Sequence, residues 1–431
     1  MSRLIPCLLA LCLLACDRST PPLRLQVVAD PVEAEAYRAL IRGFTAEHPD
    51  TPVALVTVGR QREHVTKLAT GFASGNPPDL FLINYRRYGQ FVAKDLMEPL
   101  GPRLAALGAF DAEEFYAPAL EAFQVDGAQL CMPQNISSLV VYWNPALFER
   151  FGVSPPAADW TWKDFHHAAR DLTRDTDADG AIDIFGLDVD PSLIQLAPFV
   201  WQAGGQIVDS VEKPTQFTLR TQEAVIGLSF LKRLRTEVGV MPPLARRRAF
   251  GPEARFAAGG VAMTLQSRRF ATTLRSLPDL SWDVAPLPRY KQAATTLHAD
   301  AYCLSRASQQ AEAAARFVAY ALGTGGQTLL ARTGRIVPSR KSVARSPAFL
   351  DPELPPASAQ VFLDNVEILH RLPVAPRWYE IETRLAPIIE EWMFEPAAQA
   401  SREARMGLTD GYRLVTLIEA EAGPLLREPA R

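Results

Sequence analysis

The chain has 431 residues, enough for two or three domains with sizeable cores, and its 45 Lys and Arg against 48 Asp and Glu leave a formal charge of −3. With no basic excess to neutralise phosphates, nucleic-acid binding through charge is not expected. The composition, 48% hydrophobic and 22% charged, is that of a globular protein, and after Leu14 no run approaches the roughly 20 apolar residues of a membrane-spanning helix.

Arg3 followed by the apolar run Leu4 to Leu14 has the form of a signal peptide over residues 1–15, too short to span a bilayer. Leu13-Leu14-Ala15-Cys16 resembles a bacterial lipobox, in which the cysteine is lipidated and becomes the first mature residue; a simple cleaved signal is the alternative. The resemblance implies lipid attachment at Cys16 and contact with membrane lipid through more than one acyl chain. Asp17 directly after it implies retention at the periplasmic face of the inner, cytoplasmic membrane. Residues 16–22 then form a polar tether. Of five cysteines, Cys7 and Cys12 leave with the signal and Cys16 is taken by lipid, which leaves Cys131 and Cys303. Two thiols admit one disulfide or stay separate, and spacing alone does not choose.

In chain order, Leu23 to Val28 reads as a strand. Val32 to Glu47 reads as a helix, with Ala36, Leu40, Ile41 and Phe44 at helical spacing. Pro52 to Val58 is a β-branched strand, Gln61 to Phe72 a helix, and Asp79 to Ile83 a third strand after the turn at Gly75 to Pro78. Strands alternating with helices predict a mostly parallel sheet with right-handed crossovers. A hairpin is expected over Phe123 to Met132, turning at Asp126-Gly127, then a strand over Ser138 to Trp143 and a helix over Pro145 to Phe151. Thr161 opens another helix with capping-box spacing to Asp164. Residues 192 to 275 read as mainly helical, with breaks at Gly204-Gly205 and Gly259-Gly260. Trp282 to Leu287 and Leu297 to Leu304 read as strands, and beyond 308 helix dominates.

Motifs of catalysis are sparse. The chain has no Gly-x-Ser-x-Gly, no His-Glu-x-x-His, no Walker loop and no Gly-x-Gly-x-x-Gly. Adjacent His166 and His167 diverge by about 100° on a helix, which does not suit one metal. Asp175, Asp177, Asp179 and Asp183 occupy positions 1, 3, 5 and 9 of an EF-hand-like loop with Gly180 at position 6, but position 12 is Gly186 in place of a bidentate Glu. A structural calcium ion and a solvated turn both fit this loop, and no other cofactor is required. Arg246-Arg247-Arg248 reads as a solvated face.

The order of segments resembles the bacterial extracellular solute-binding proteins of the sugar-binding, maltose-binding-protein-like type (family 1), the substrate-capturing subunits of ABC importers. The resemblance rests on Pro78-Asp79-Leu80-Phe81 with Gly89 and Met97-Glu98-Pro99-Leu100, and on Leu130 to Pro133 followed by Val141 to Phe148. It continues through the Thr161-Trp162-x-x-Phe165 helix, Trp201 to Gly205, Phe256 to Met263, Ala314 to Val318, and Gly334 with Val337-Pro338. It implies an α/β, two-lobed periplasmic-binding-protein fold of type II, with two mixed sheets flanked by helices and a hinge between lobes. Residues 23–132 plus 303–345 would form lobe 1 and residues 136–298 plus 353–431 lobe 2, with hinge segments near 132–135, 298–304 and 345–356. Cys131 and Cys303 would flank neighbouring hinge strands; a disulfide there is open, with two separate core thiols the preferred reading.

The same resemblance implies where ligand binds. The loop after the Phe81 strand offers Asn84, Tyr85 and Arg86; the first crossing Gln134 and Asn135; lobe 2 Trp201, Gln266, Ser267 and Arg269; the return crossing His298, Asp300 and Tyr302; and the late helical region Trp378 and Tyr379. Aromatic planes among hydrogen-bonding groups suit sugars, and each aromatic has a packed core ring as its alternative. Ser267-Arg268-Arg269 and Asp300-Ala301 depart from the family's glycine and aromatic pattern, and arginine forks suit an acidic or phosphorylated sugar as well as hydroxyls. The implied function is a monomeric, non-enzymatic receptor that captures a carbohydrate, mono- or oligosaccharide, by lobe closure and delivers it to ABC permease subunits. A sensory receptor of the same fold and a lipid-anchored glycoside hydrolase are the alternatives.

Overall fold

In the computed structural model of the chain, residues 21–395 and 408–427 are described; the signal reading of residues 1–15 and lipid attachment at Cys16 lie outside them. Lobe 1 begins with β1 (Leu23–Val28), α1 (Pro31–Glu47), β2 (Val53–Val58), α2 (Gln61–Ala73) and β3 (Leu80–Asn84). β1 pairs in parallel with both β2 and β3, as the alternation requires. α1 starts where it does because the Asp30 side chain accepts the Glu33 backbone N–H and Pro31 fills the first turn. α3 (Tyr85–Val92) follows β3 with no loop, and Asn84 caps it by accepting the Arg86 N–H.

β4 (Met97–Glu98), α4 (Leu100–Ala106) and α5 (Ala117–Glu121) complete the first pass. β5 (Gln124–Val125) and β6 (Ala128–Gln129) form the expected antiparallel hairpin. Asp126 and Gly127 turn it with φ of 47° and 81°, the left-handed region that an Asp-Gly pair tolerates. The chain then leaves through β7 (Met132–Pro133) and enters lobe 2 at β8 (Ser137–Ser138) and β9 (Val140–Trp143).

α6 (Pro145–Phe151) and α7 (Trp162–Asp171) follow, the second with the Thr161–Asp164 capping box formed in both directions. α8 (Leu193–Gln202) and α9 (Gln222–Val238) pack against each other over the lobe 2 core. β10 (Met263–Gln266), β11 (Asp283–Ala285) and β9 make a small antiparallel sheet, in the order β10-β9-β11. β10 corrects the mainly helical reading of 192–275: four fully buried residues after two glycines carry no alternation to mark them as a strand.

The return crossing corrects another expectation. Leu297 to Leu304 is not one strand but two, β12 (Thr295–His298) and β13 (Asp300–Ser305), broken at Ala299. β12 pairs with β8 in lobe 2, whereas β13 pairs with β3, β4 and β7 in lobe 1, giving the lobe 1 order β2-β1-β3-β13-β4. Hydropathy does not register the break, because both strands are buried. β14 (Leu369–His370) adds to β12, and the third crossing runs through irregular backbone until Ser358 bonds the Asp283 carboxylate of lobe 2 at 3.0 and 2.8 Å.

Each lobe has its own core, around Tyr37, Phe44 and Phe317 in lobe 1 and around Trp162, Trp201, Trp378 and Trp392 in lobe 2. A third cluster runs through the crossings, with Phe81, Tyr142, Phe270 and Phe349. Within it Cys131 and Cys303 are joined in a disulfide, Cα atoms 4.5 Å apart, which replaces the preferred reading of two separate thiols. Arg247 is likewise not on a solvated face: it is buried and paired with the fully buried Asp188, which also takes Arg255. Among the described residues no helix is long and apolar enough to cross a membrane.

Candidate functional site

A cavity of about 220 Å³ lies between the lobes, at the carboxyl ends of β1 and β3, where open α/β sheets bind ligands. Lobe 1 supplies Glu33 from the start of α1, Gln61 from the start of α2, and Asn84, Arg86 and Arg87 from the β3–α3 junction. The crossings supply Asn135, Ser137, His298 and Asp300, and lobe 2 supplies Ser267, Arg268 and Arg269 just after β10. Arg335 closes the wall from the segment that follows Gly334.

Asp300 is held rather than neutralised. Asn84 donates to one carboxylate oxygen at 3.2 Å and Asn135 to the other at 3.1 Å, while the Asp300 N–H donates to the Asn135 amide oxygen. Arg86 is buried and bonded to Glu382 at 2.6 Å, which carries a lobe 1 charge to the lobe 2 helix Trp378–Phe394. Arg335 pairs with both Asp30 and Glu33. Burial pushes the Glu33 carboxyl up to about 7 against the pull of Arg335. Burial, with Arg86 and Arg87 beside it, pushes the His298 imidazole down to about 3, so it is a neutral hydrogen-bonding group at physiological pH. Its Nε2 is buried and has no hydrogen-bond partner among the described residues.

Arg268 is 1% exposed, donates from Nε to the Gly334 carbonyl at 2.8 Å, and lies over the rings of Phe349 and Phe362 at 4.8 and 5.5 Å. Its Nη1 is buried without a partner, and burial pushes the guanidinium down to about 10. Arg87 lies over the Tyr379 ring at 4.7 Å.

Of the residues expected from sequence, Asn84, Arg86, Asn135, Ser267, Arg269 and Asp300 meet at this cavity, with His298. The others do not line it. Tyr85 is fully buried and its hydroxyl accepts the Leu372 N–H at 3.1 Å. Gln134 is spent on the hydroxyls of Tyr37 and Tyr302, both at 2.7 Å, which places Tyr302 in the core of lobe 1. Gln266 is buried on β10. Trp201 packs in the lobe 2 core with its ring 5.0 Å from His370, and Trp378 is 0% exposed with its indole N–H donating to Glu382. Tyr379 reaches the site only by supporting Arg87. Sequence reasoning missed Glu33, Gln61, Arg87, Ser137 and Arg335. Arg87 and Arg268 lie beside residues that were singled out, but nothing local marks Glu33 and Arg335 as partners.

In the 175–183 loop, carboxylate oxygens of Asp175, Asp177 and Asp183 lie within 4.8 Å of one another. Asp179 is not among them: its carboxylate accepts the Ala181 N–H at 2.7 Å. Asp175 already accepts the N–H groups of Ala178 and Gly180, and Asp183 accepts Thr176 N–H and hydroxyl, so the turn is closed by its own amides.

Two α/β lobes, three crossings and one polar cavity between them define a hinged small-molecule receptor. The chain belongs to the bacterial extracellular solute-binding protein family, whose model matches residues 29–328. It is similar to the sn-glycerol-3-phosphate-binding periplasmic protein UgpB of Escherichia coli (strain K12), 24% identical over 137 residues. That alignment covers 31% of this chain and 31% of the relative's length. Among solved structures, the ABC substrate-binding protein Lmo0181 of Listeria monocytogenes in complex with cycloalternan aligns with a TM-score of 0.81 at 24% identity, covering 93% of this chain and 99% of that one. UgpB of Mycobacterium tuberculosis in complex with glycerophosphocholine aligns with a TM-score of 0.77 at 18% identity, covering 94% and 100%.

Proposed function

We propose that the chain is the solute-capturing receptor of an ABC importer, held by lipid at Cys16 on the periplasmic face of the cytoplasmic membrane, which binds a carbohydrate between its lobes and presents it to permease subunits. The observation that carries this reading is the convergence of polar side chains from both lobes and two crossings on one small cavity. Closure removes water from hydroxyls and replaces it with amide, carboxylate and guanidinium partners, and no bond is made or broken. At about 220 Å³ the cavity falls below the ~300–1,000 Å³ of drug-sized sites, which favours a mono- or disaccharide-sized ligand. The cycloalternan held by the Listeria protein supports a carbohydrate as the ligand class. Calcium, if taken up by Asp175, Asp177 and Asp183, is structural in this scheme and lies outside the cavity.

Thermal unfolding of the chain from Asp17 onward, screened against saccharides, polyols, amino acids and peptides, tests the reading. A ligand at 100 times its dissociation constant adds about 2.7 kcal/mol to the folded state, a shift well above the resolution of a melting curve. A saccharide that raises the melting temperature and is recovered unchanged is the expected result. Stabilisation by amino acids or peptides alone would overturn the ligand class while leaving the fold in place.

A further inference from the structure

Five guanidinium groups line the cavity, and only two are neutralised by carboxylates: Arg86 by Glu382, and Arg335 by Asp30 and Glu33. Among the described residues no ion pair joins Arg87, Arg268 or Arg269 to a carboxylate. The Arg268 charge is the most telling, because it is buried on two phenylalanine rings with one nitrogen unpartnered. An uncompensated buried charge is costly, and the cost falls when a ligand brings the opposite charge. The remaining lining acid, Asp300, is clamped between Asn84 and Asn135 and faces the cavity as a fixed acceptor beside two amides. No Trp, Tyr or Phe is among the lining residues, so the apolar face of a neutral sugar has no ring to stack on.

We propose that the cleft takes an anionic polyol, a sugar or sugar alcohol bearing phosphate or carboxylate, whose anion is held by Arg87, Arg268 and Arg269 and whose hydroxyls meet Asn84, Asn135 and Asp300. Planar guanidinium forks match both kinds of anion, and a site dressed with three of them discriminates against the neutral parent compound. The proposal rests on the receptor reading and narrows its ligand.

Calorimetric titration of the chain from Asp17 onward, with a panel of neutral sugars and polyols, their phosphate monoesters and their sugar acids, at low and moderate salt, tests it. At least one anionic member binds tenfold or more tighter than its neutral parent, with affinity that falls as salt rises. Whether the phosphate or the acid series binds identifies the anion. Arg269 is exposed and, among the described residues, its side chain has no hydrogen-bond partner, so Arg269→Gln keeps the fold. It lowers affinity for the anionic ligand roughly ten- to hundredfold, and affinity for neutral sugars, which meet it at most through a hydroxyl, by less. Arg268→Gln goes further, but its burial makes folding part of the readout, so Arg269→Gln decides. Neutral sugars binding as tightly as their anionic partners, or unchanged anion affinity in Arg269→Gln, overturns the proposal and leaves the carbohydrate receptor standing. Binding by no saccharide of either kind removes both.

Discussion

Asp188 is a fully buried carboxylate shared by Arg247 and Arg255, with Arg247 also donating to the Val189 carbonyl at 2.7 Å. Removing the one acid leaves two guanidiniums facing each other in a dry site. Asp188→Asn is therefore expected to cost about 3–5 kcal/mol of stability, measured by urea unfolding. A loss below 1 kcal/mol would mean that water reaches the pair. Arg247 looked solvated in sequence because a basic run carries no sign of a distant acid. Trp201 and Trp378 lie in the lobe 2 core instead of lining the cavity, which the sequence did not reveal for a related reason: an aromatic's hydropathy is the same whether its ring faces ligand or core. Asn84, Asn135 and Asp300 were legible through the family resemblance, which sets them at a strand end and at the crossings, and all three line the cavity. The Glu33–Arg335 pair was not, since its members belong to distant segments that the sheet brings together.

Among elements, those set by local signals were readable. The β-α-β-α-β opening, the Asp-Gly hairpin and the Thr161 capping box each depend on residues within a few positions of one another. What the sequence concealed were the interruptions at Leu139, between two strands of lobe 2, and at Ala299, where the chain returns from lobe 2 to lobe 1 with no turn residue to mark it. Beside those interruptions the Cys131–Cys303 bridge ties the strand leaving lobe 1 to the strand returning to it, closing a loop with a sequence separation of 172. Long closed loops restrict the unfolded chain most, so Cys131→Ser with Cys303→Ser is expected to lose about 2–4 kcal/mol. Melting temperatures of wild type with and without a reductant give the check: the reduced wild type should fall to the level of the double variant. An identical melting temperature in all three samples would show that the bridge contributes no stability.

At the scale of the molecule, lobe 1 meets lobe 2 through α3. Arg86 binds Glu382, the Tyr85 hydroxyl receives the Leu372 N–H, and a Cβ on Gly89 would lie 2.5 Å from the Ala375 carbonyl oxygen. This contact holds the two lobes together, so Glu382→Gln leaves Arg86 unpaired and favours their parting. The radius of gyration of the unliganded variant, from small-angle scattering, should exceed that of wild type, and saturating ligand should restore it. Equal radii without ligand would assign lobe contact to packing alone.

The position of β13 has one more consequence. It lies in the middle of the lobe 1 sheet, beside β3, yet about two hundred residues separate it from β3, with most of lobe 2 in between. A chain delivered from its N-terminus, with only its first third available to fold, therefore forms half a sheet with an open edge. Parallel pairing of β1, β2 and β3 can begin early, but the row of hydrogen-bonding groups along β3 must wait for β13. Lobe 2 is thus an insertion that delays its host, and the interval before Asp300–Ser305 arrives is when this chain is most exposed to edge-to-edge association and to proteases.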